Sequence, residues 1–109
     1  MAIPHAEPGD VIDVRPLGAA LSAARSHALF KSADLEVMRI VLAADEEMPP
    51  HAVAGEITLQ CLEGRISFTC DAGERELAGG QLIHLTGDEV HGLRGIEDAS
   101  LLLTIVLKK

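Results

Sequence analysis

Short apolar runs, many of them alternating with polar residues, fill the chain from residue 35 onward. The segments "LEVMRIVLA", "EITLQCLEGRISFTC" and "ASLLLTIVL" contain many β-branched residues and are separated by turns rich in glycine and acids. An alternation with a period of two is typical of a strand that buries one face. Turn signals recur about every 8 to 12 residues, as they do in sandwiches and barrels. The pattern therefore predicts an all-β fold of about nine short strands.

The remaining segments predict connecting elements. Residues 1–10, rich in proline, glycine and acids, predict a loose arm, and "VIDV" at 11–14 predicts a short strand. The alanine-rich "LGAALSAARS" at 17–26 predicts a short helix. "DEEMPPH" at 45–51 predicts a turn, because proline cannot donate to a strand ladder. Glu63-Gly64, between two apolar runs, predicts a hairpin.

Length and composition indicate one globular domain over residues 1–109. The chain has 109 residues, of which 48% are hydrophobic. It contains Phe30 and Phe68 but neither tryptophan nor tyrosine. We therefore expect the core to be built mainly from aliphatic side chains.

The charge of the chain and its lack of targeting signals limit the binding partners and the cellular location that we expect. The formal net charge of −8 disfavours nucleic acid and anionic membranes, because both would repel an acidic surface. The first 15 residues contain no apolar core of a signal peptide, and no apolar run is long enough to span a bilayer. We therefore expect a cytoplasmic protein. In that compartment Cys61 and Cys70, which lie in apolar runs, are expected to be free buried thiols.

Two segments in the strand-rich region each combine a histidine with a glycine. The first runs from His51 to Gly64, and the second from Gly80 to Gly95 with His91 inside it. Their spacing resembles the two sequence motifs of small single-domain cupins, the RmlC-like jelly-roll family. The resemblance covers about residues 35–107. It implies a double-stranded β-helix, or jelly-roll barrel, preceded by the short helix.

Several motif positions differ from the family pattern. Val53 stands where the second histidine of the first motif is usual, and Ile57 stands where the glutamate is usual, with Glu56 one residue early. In the second motif, the usual proline, glycine and terminal asparagine are replaced by Thr86, Asp88 and Gly95. The resemblance therefore predicts the fold, but the replaced residues do not support the family's metal chemistry.

The family resemblance implies a metal site of three imidazoles and one carboxylate, a set that suits Fe, Mn, Ni, Zn or Cu. Only His51 and His91 remain at the matching positions. Two ligands are too few for zinc, since a catalytic zinc ion has three protein ligands and a structural one has four. Glu56 and His84 are the candidates for a third ligand. A one-residue offset turns Glu56 to the opposite face of its strand unless a β-bulge at Gly55 restores it.

A mostly apolar pocket is the alternative to a metal centre. Ile57, Leu59 and Cys61 share one strand face, which the family register turns into the barrel. The predicted pocket consists of His51, Val53, Ile57, Leu59, Cys61 and His91. Met38 and Met48 are interpreted as core residues, with a soft pocket lining as the alternative.

Three functions remain open at this point. The first is a binding protein that holds a small organic molecule, an organic acid among the candidates, with the two imidazoles as polar anchors. The second is a metal-dependent enzyme of dioxygenase or isomerase type, with its site completed by Glu56, His84 or water. The third is a module that dimerises or regulates a neighbour. The apolar strands at residues 35–43 and 100–107 also predict a homodimer formed through a sheet.

Overall fold

Nine strands make up most of residues 5–108, the part of the chain that the computed structural model describes. The strands are β1 (His27–Lys31), β2 (Leu35–Leu42), β3 (Glu47–His51), β4 (Ile57–Glu63), β5 (Arg65–Cys70), β6 (Gly73–Ala78), β7 (Leu82–Leu85), β8 (His91–Gly95) and β9 (Ala99–Val106). A short 3-10 helix, Gly18–Ala23, precedes them. It lies within the predicted helical segment but is shorter.

The strands form two antiparallel sheets that face each other as a jelly roll, which confirms the predicted fold class. The five-stranded sheet, sheet A, has the order β1-β2-β9-β4-β7, and the four-stranded sheet, sheet B, has the order β3-β8-β5-β6. Strand β9 lies between β2 and β4, so the long apolar run at the end of the chain is central in its sheet.

The core between the sheets is aliphatic, as the composition predicts. Sheet A contributes Ile40, Leu42, Ile57, Leu59, Cys61, Leu85, Ala99 and Leu101, and sheet B contributes Ile66, Phe68, Leu77 and Leu93. Phe68 is fully buried, whereas Phe30 is only half-buried. The predicted facing of β4 is confirmed, since Ile57, Leu59 and Cys61 are each at most 4% exposed.

Three local predictions are wrong. Glu63-Gly64 is not a hairpin, because β4 and β5 belong to different sheets and the turn between them is a corner. "VIDV" is not a strand, because residues 11–14 lie outside both sheets. "DEEMPPH" is not only a turn, since β3 includes Pro49 and Pro50. Strand β3 is an edge strand, where a missing N–H donor is tolerated.

The segment before the 3-10 helix is fixed to the outer face of sheet A by a buried polar network. Arg39 is 3% exposed and donates hydrogen bonds to the Ser100 hydroxyl at 3.2 Å and to the Arg15 carbonyl at 3.0 Å. Ser100 donates in turn to the Glu63 carboxylate, which also accepts the backbone N–H groups of Leu17 and Gly18. Of the predicted loose arm, residues 1–4 lie outside the described residues.

Candidate functional site

His51 and His91 are neighbours across two strands. They are register partners in the antiparallel pair of β3 and β8, and their ring centroids lie 4.5 Å apart with the planes tilted by 55°. His51 is exposed, whereas His91 is 7% exposed. The pair therefore extends from the surface into the space between the sheets.

An irregularity in β3 gives the site a third inward side chain. His51 follows Met48 by three positions, an odd offset, so a regular strand would place the two side chains on opposite faces. Met48 pairs with Leu93 and His51 with His91, which leaves one extra residue on β3 at the Pro49-Pro50 step. Such a bulge reverses the alternation, and both side chains line the same cavity.

Each imidazole of the pair is oriented by its own backbone. The Nδ1 atom of His51 lies 3.1 Å from the Pro49 carbonyl oxygen, and Nδ1 of His91 lies 3.0 Å from that of Glu89. A carbonyl oxygen only accepts hydrogen bonds, so each Nδ1 is the protonated nitrogen. Both Nε2 atoms are therefore lone-pair donors in the neutral rings, and neither has a hydrogen-bond partner among residues 5–108. Metal-ligating histidines typically have this arrangement.

The cavity beside the two rings is small and apolar. Its volume is about 30 Å³, and it is lined by Ile40, Met48, His51, Ile57, Leu59, Phe68, His91, Leu93 and Leu103. Phe68 stacks on His91 with centroids 5.8 Å apart and planes 7° apart. A cavity of this size holds a water molecule or a single ion, whereas pockets for drug-sized molecules measure roughly 300 to 1,000 Å³.

Two residues of the predicted pocket lie outside this cavity lining. Val53 packs against the core, and its carbonyl accepts the Asp88 N–H at 2.8 Å, which joins the two motif loops. Cys61 is fully buried, and its thiol donates to the Glu63 carbonyl at 3.3 Å. Burial raises the pKa of the Cys61 thiol, as expected for an unreactive core cysteine. Both cysteines are free, but Cys70 is only half-buried.

The structure pairs the two candidates for a third metal ligand with each other. The His84 Nε2 atom lies 2.9 Å from the Glu56 carboxylate, and both side chains are more than half exposed. His84 is the register partner of Thr58, whose side chain faces away from the Ile57 and Leu59 side of β4, so His84 lies on the outer face of sheet A. No bulge at Gly55 turns Glu56 inward, because the regular pairing of β4 begins at Ile57.

The donor set does not fit the metal site that the family resemblance implies. Among residues 5–108, no group of three or more histidine, cysteine, aspartate or glutamate side chains is arranged to hold a metal ion. At the two replaced positions, Ile57 lines the cavity with an apolar side chain and Val53 supplies no donor. Two neutral nitrogens are too few for a tight divalent site.

Two departures in the second motif have local explanations. Asp88 has φ +64°, a left-handed conformation that aspartate tolerates better than most residues, and it stands where the family has glycine. Gly95 stands in the asparagine slot, where a Cβ would lie 2.2 Å from the Ala43 carbonyl oxygen. An asparagine would therefore collide with the backbone at this position.

A larger surface groove, of about 450 Å³, lies between the 3-10 helix and β2. Three of its polar side chains bond to nearby backbone, of which Ser26 accepts the Val41 N–H at 2.8 Å and Glu46 accepts the Ala43 N–H at 2.9 Å. Asp98 likewise accepts the Ala44 N–H at 2.9 Å. These contacts stabilise the groove walls, and the imidazole pair remains the better candidate site.

Several solved protein structures resemble this chain over most of its length. A conserved protein of unknown function from Streptococcus pyogenes is 23% identical, with a TM-score of 0.76, and the match covers 100% of this chain and 96% of that one. A cupin superfamily protein from Desulfitobacterium hafniense is 18% identical, with a TM-score of 0.77, over 94% of this chain and 100% of that one. The protein folds as a small RmlC-like cupin.

An RmlC-like cupin from Desulfovibrio desulfuricans is 22% identical to this chain, with a TM-score of 0.73, over 89% of this chain and 97% of that one. No family profile and no curated protein sequence matches the chain. At these sequence identities, the structural similarity shows a shared fold and gives no information about function. Among residues 5–108, no helix has the length and apolar character needed to cross a membrane.

Sequence reasoning missed one contact of the site, and it gave Met48 as a core residue, with a pocket lining as the alternative, without the bulge that turns it inward. The stacking of Phe68 on His91 joins residues from β5 and β8, and no local pattern reports that contact. The inward facing of Met48 depends on the bulge in β3. The Pro49-Pro50 pair was the available signal for that bulge, since proline within a sheet is confined to edges and bulges.

Proposed function

We propose that this cupin is a binding protein that holds a small ligand at the mouth of its barrel, between His51 and His91. The observation that carries the proposal is a pair of histidines that line an apolar cavity while each Nδ1 faces a backbone carbonyl, so that Nε2 is the acceptor of the neutral ring. Two lone pairs beside apolar side chains attract an electron-poor partner, either a hydrogen-bond donor or a cation.

The size of the cavity limits the ligand. About 30 Å³ accommodates one ion or a small group of atoms. An organic ligand would therefore rest at the mouth, beside the exposed His51, and insert only a small substituent. An organic acid would have to bring its own proton or meet a protonated ring, because a carboxylate cannot donate to Nε2.

The metal-dependent enzyme is the rival function. Its required third ligand is not supplied by Glu56 or His84, which bond to each other on the outer face of sheet A. The neutral, two-nitrogen donor set therefore favours binding over divalent-metal chemistry.

The test combines elemental analysis with imidazole NMR. We expect the purified, untagged protein to contain well below one equivalent of Fe, Mn, Ni or Zn, after growth in supplemented medium. We also expect a panel of small hydrogen-bond donors and metal ions to shift the ¹⁵N signals of His51 and His91. One equivalent of a divalent metal, lost in a His51→Ala/His91→Ala variant, would overturn the proposal and support the enzyme.

A further inference from the structure

We propose that the ligand of the imidazole pair is a soft monovalent metal ion, Cu(I) in the cell, with Met48 as the third ligand. This inference rests on the proposed function, since it specifies what the same two Nε2 atoms bind. It keeps the two motif histidines and differs from the family's metal site in the third donor, because Met48 stands at no ligand position of either motif.

The first argument is the convergence of three soft or borderline donors. His51, His91 and Met48 all line one cavity of about 30 Å³, and the ring centroids of the two histidines lie 4.5 Å apart. Met48 reaches this cavity only because of the bulge that the Pro49-Pro50 step introduces into β3. Bulges commonly re-aim a side chain next to a functional site.

The second argument is the charge and number of the donors. Two imidazole nitrogens and a thioether are all neutral, and the rest of the lining is hydrocarbon. A divalent ion in such surroundings lacks both compensating charge and ligands, whereas a thioether selects Cu(I) among the metals that imidazole also binds. The formal net charge of −8 adds a general attraction for cations.

The third argument is preorganisation. Both Nδ1 atoms are held by backbone carbonyls at 3.0 to 3.1 Å, and the His91 ring is stacked on the fully buried Phe68. The rings therefore present Nε2 before any ion arrives, and binding does not have to order the buried ring.

The experiment is an anaerobic Cu(I) titration against a chromophoric Cu(I) chelator. A Cys70→Ser background removes the half-buried thiol as a competing ligand, and Cys61 is fully buried. Met48→Leu keeps the shape of the side chain and removes its sulfur. Met38→Leu is the matched control, because Met38 also packs against the core but does not line the cavity.

We expect one equivalent of Cu(I) in the background protein and a sulfur scatterer in its copper X-ray absorption spectrum. Loss of an outer-shell partner alone costs roughly 10- to 100-fold in metal affinity, so Met48→Leu should weaken binding at least about tenfold. Met38→Leu should leave the affinity unchanged, and the His51→Ala/His91→Ala variant should abolish site binding. Circular dichroism checks that each variant is folded.

Two results would overturn the inference: failure of the folded background protein to compete for Cu(I), or equal affinity in Met48→Leu and Met38→Leu. The proposed function survives either result if the small hydrogen-bond donors still shift the ¹⁵N signals of His51 and His91. It fails separately if neither those donors nor any metal ion perturbs the two rings.

Discussion

The imidazole of His91 lies flat against the ring of Phe68, with the planes 7° apart and the centroids separated by 5.8 Å. Phe68 is fully buried at the centre of the core. His91 therefore belongs to the packed interior as much as to the site. Its partner His51 is exposed, and the packing places no comparable restraint on that ring. The two histidines should differ in what they contribute to stability.

We predict that His91→Ala lowers the free energy of unfolding by about 2 kcal/mol, since it removes a buried, stacked ring and leaves a cavity. His51→Ala, at an exposed position, should change it by less than about 0.5 kcal/mol. Urea unfolding followed by circular dichroism measures both. Equal losses in the two variants would contradict the distinction between a core ring and a surface ring.

Gly64 is a position where the addition of one carbon atom should lower stability. Its φ is +80°, and a Cβ there would lie 2.1 Å from the Asp98 carbonyl oxygen, at the corner where the chain changes sheet. We expect Gly64→Ala to cost about 3 kcal/mol or more, because strain and overlap add. Gly80→Ala is the control, with φ +92° but nothing within 4 Å of its Cβ, and should cost about 1 kcal/mol. Similar melting temperatures for the two variants would exclude the steric explanation.

Most strands were predictable from the sequence because each carries its own alternating or apolar signal, and β3, which was predicted as a turn, is the exception. Ile57, Leu59 and Cys61 alternate with Thr58 and Gln60, and that alternation alone identifies the buried face of β4. The corner at Gly64 was not predictable, since a glycine turn between two apolar strands looks the same whether the strands pair or separate into two sheets. Only the long-range pairing of β4 with β9 decides between them.

The site was predictable only where its residues belong to a local sequence pattern. The motif spacing points to His51 and His91, but the inward facing of Met48 depends on a bulge, and Phe68 comes from another strand. The network of Arg39, Ser100 and Glu63 joins β2, β9 and β4, and an isolated arginine in an apolar strand gives no indication of its partners.

Arg39 should hold the N-terminal segment in place. Arg39→Met keeps much of the aliphatic stem but removes the guanidinium that bonds Ser100 and the Arg15 carbonyl. We expect a loss of about 2 to 4 kcal/mol, because the buried partners lose their donor. Residues 11–17 should also exchange their amide hydrogens faster.

Arg94→Met is the control for that variant. Arg94 is about half exposed and lies 3.6 Å from Asp45, so its loss should cost less than about 0.5 kcal/mol. Unchanged amide exchange in residues 11–17 of Arg39→Met would show that other contacts hold the segment.

The same network should make stability depend on pH. Burial alone raises the pKa of the Glu63 carboxyl, but hydrogen bonds from the Leu17 N–H, the Ser100 hydroxyl and the Gly18 N–H outweigh it, and the pKa lies below its ordinary value of 4.5. Folding therefore favours the ionised form. The resulting stabilisation is complete above the ordinary pKa of 4.5 and is lost as the pH falls through the lower folded value.

We predict that Glu63→Gln is less stable than the wild type at pH 7 and that the difference narrows as the pH falls below 4.5. Thermal unfolding across this range measures the difference between the two proteins, which cancels the contribution of the other acids. A constant difference at every pH would mean that Glu63 stabilises through packing rather than through its charge.

The part of the outer face of sheet A that the N-terminal segment leaves uncovered should form a homodimer. Leu82, Val106 and Leu35 are 60%, 41% and 37% exposed on this face, by the alternation of their strands. Exposed apolar side chains of this size on a sheet commonly mark an association site, and one face that pairs with the same face of a second copy gives a closed dimer.

We expect a dimer mass by size-exclusion chromatography with light scattering at micromolar concentration. Leu82→Lys/Val106→Lys should give a monomer, because two charges per chain would be buried without partners. Val90→Lys is the control, since Val90 is 53% exposed but lies in the loop before β8. A monomer mass for the wild type, or a dimer that survives the double lysine variant, would exclude this face as the interface.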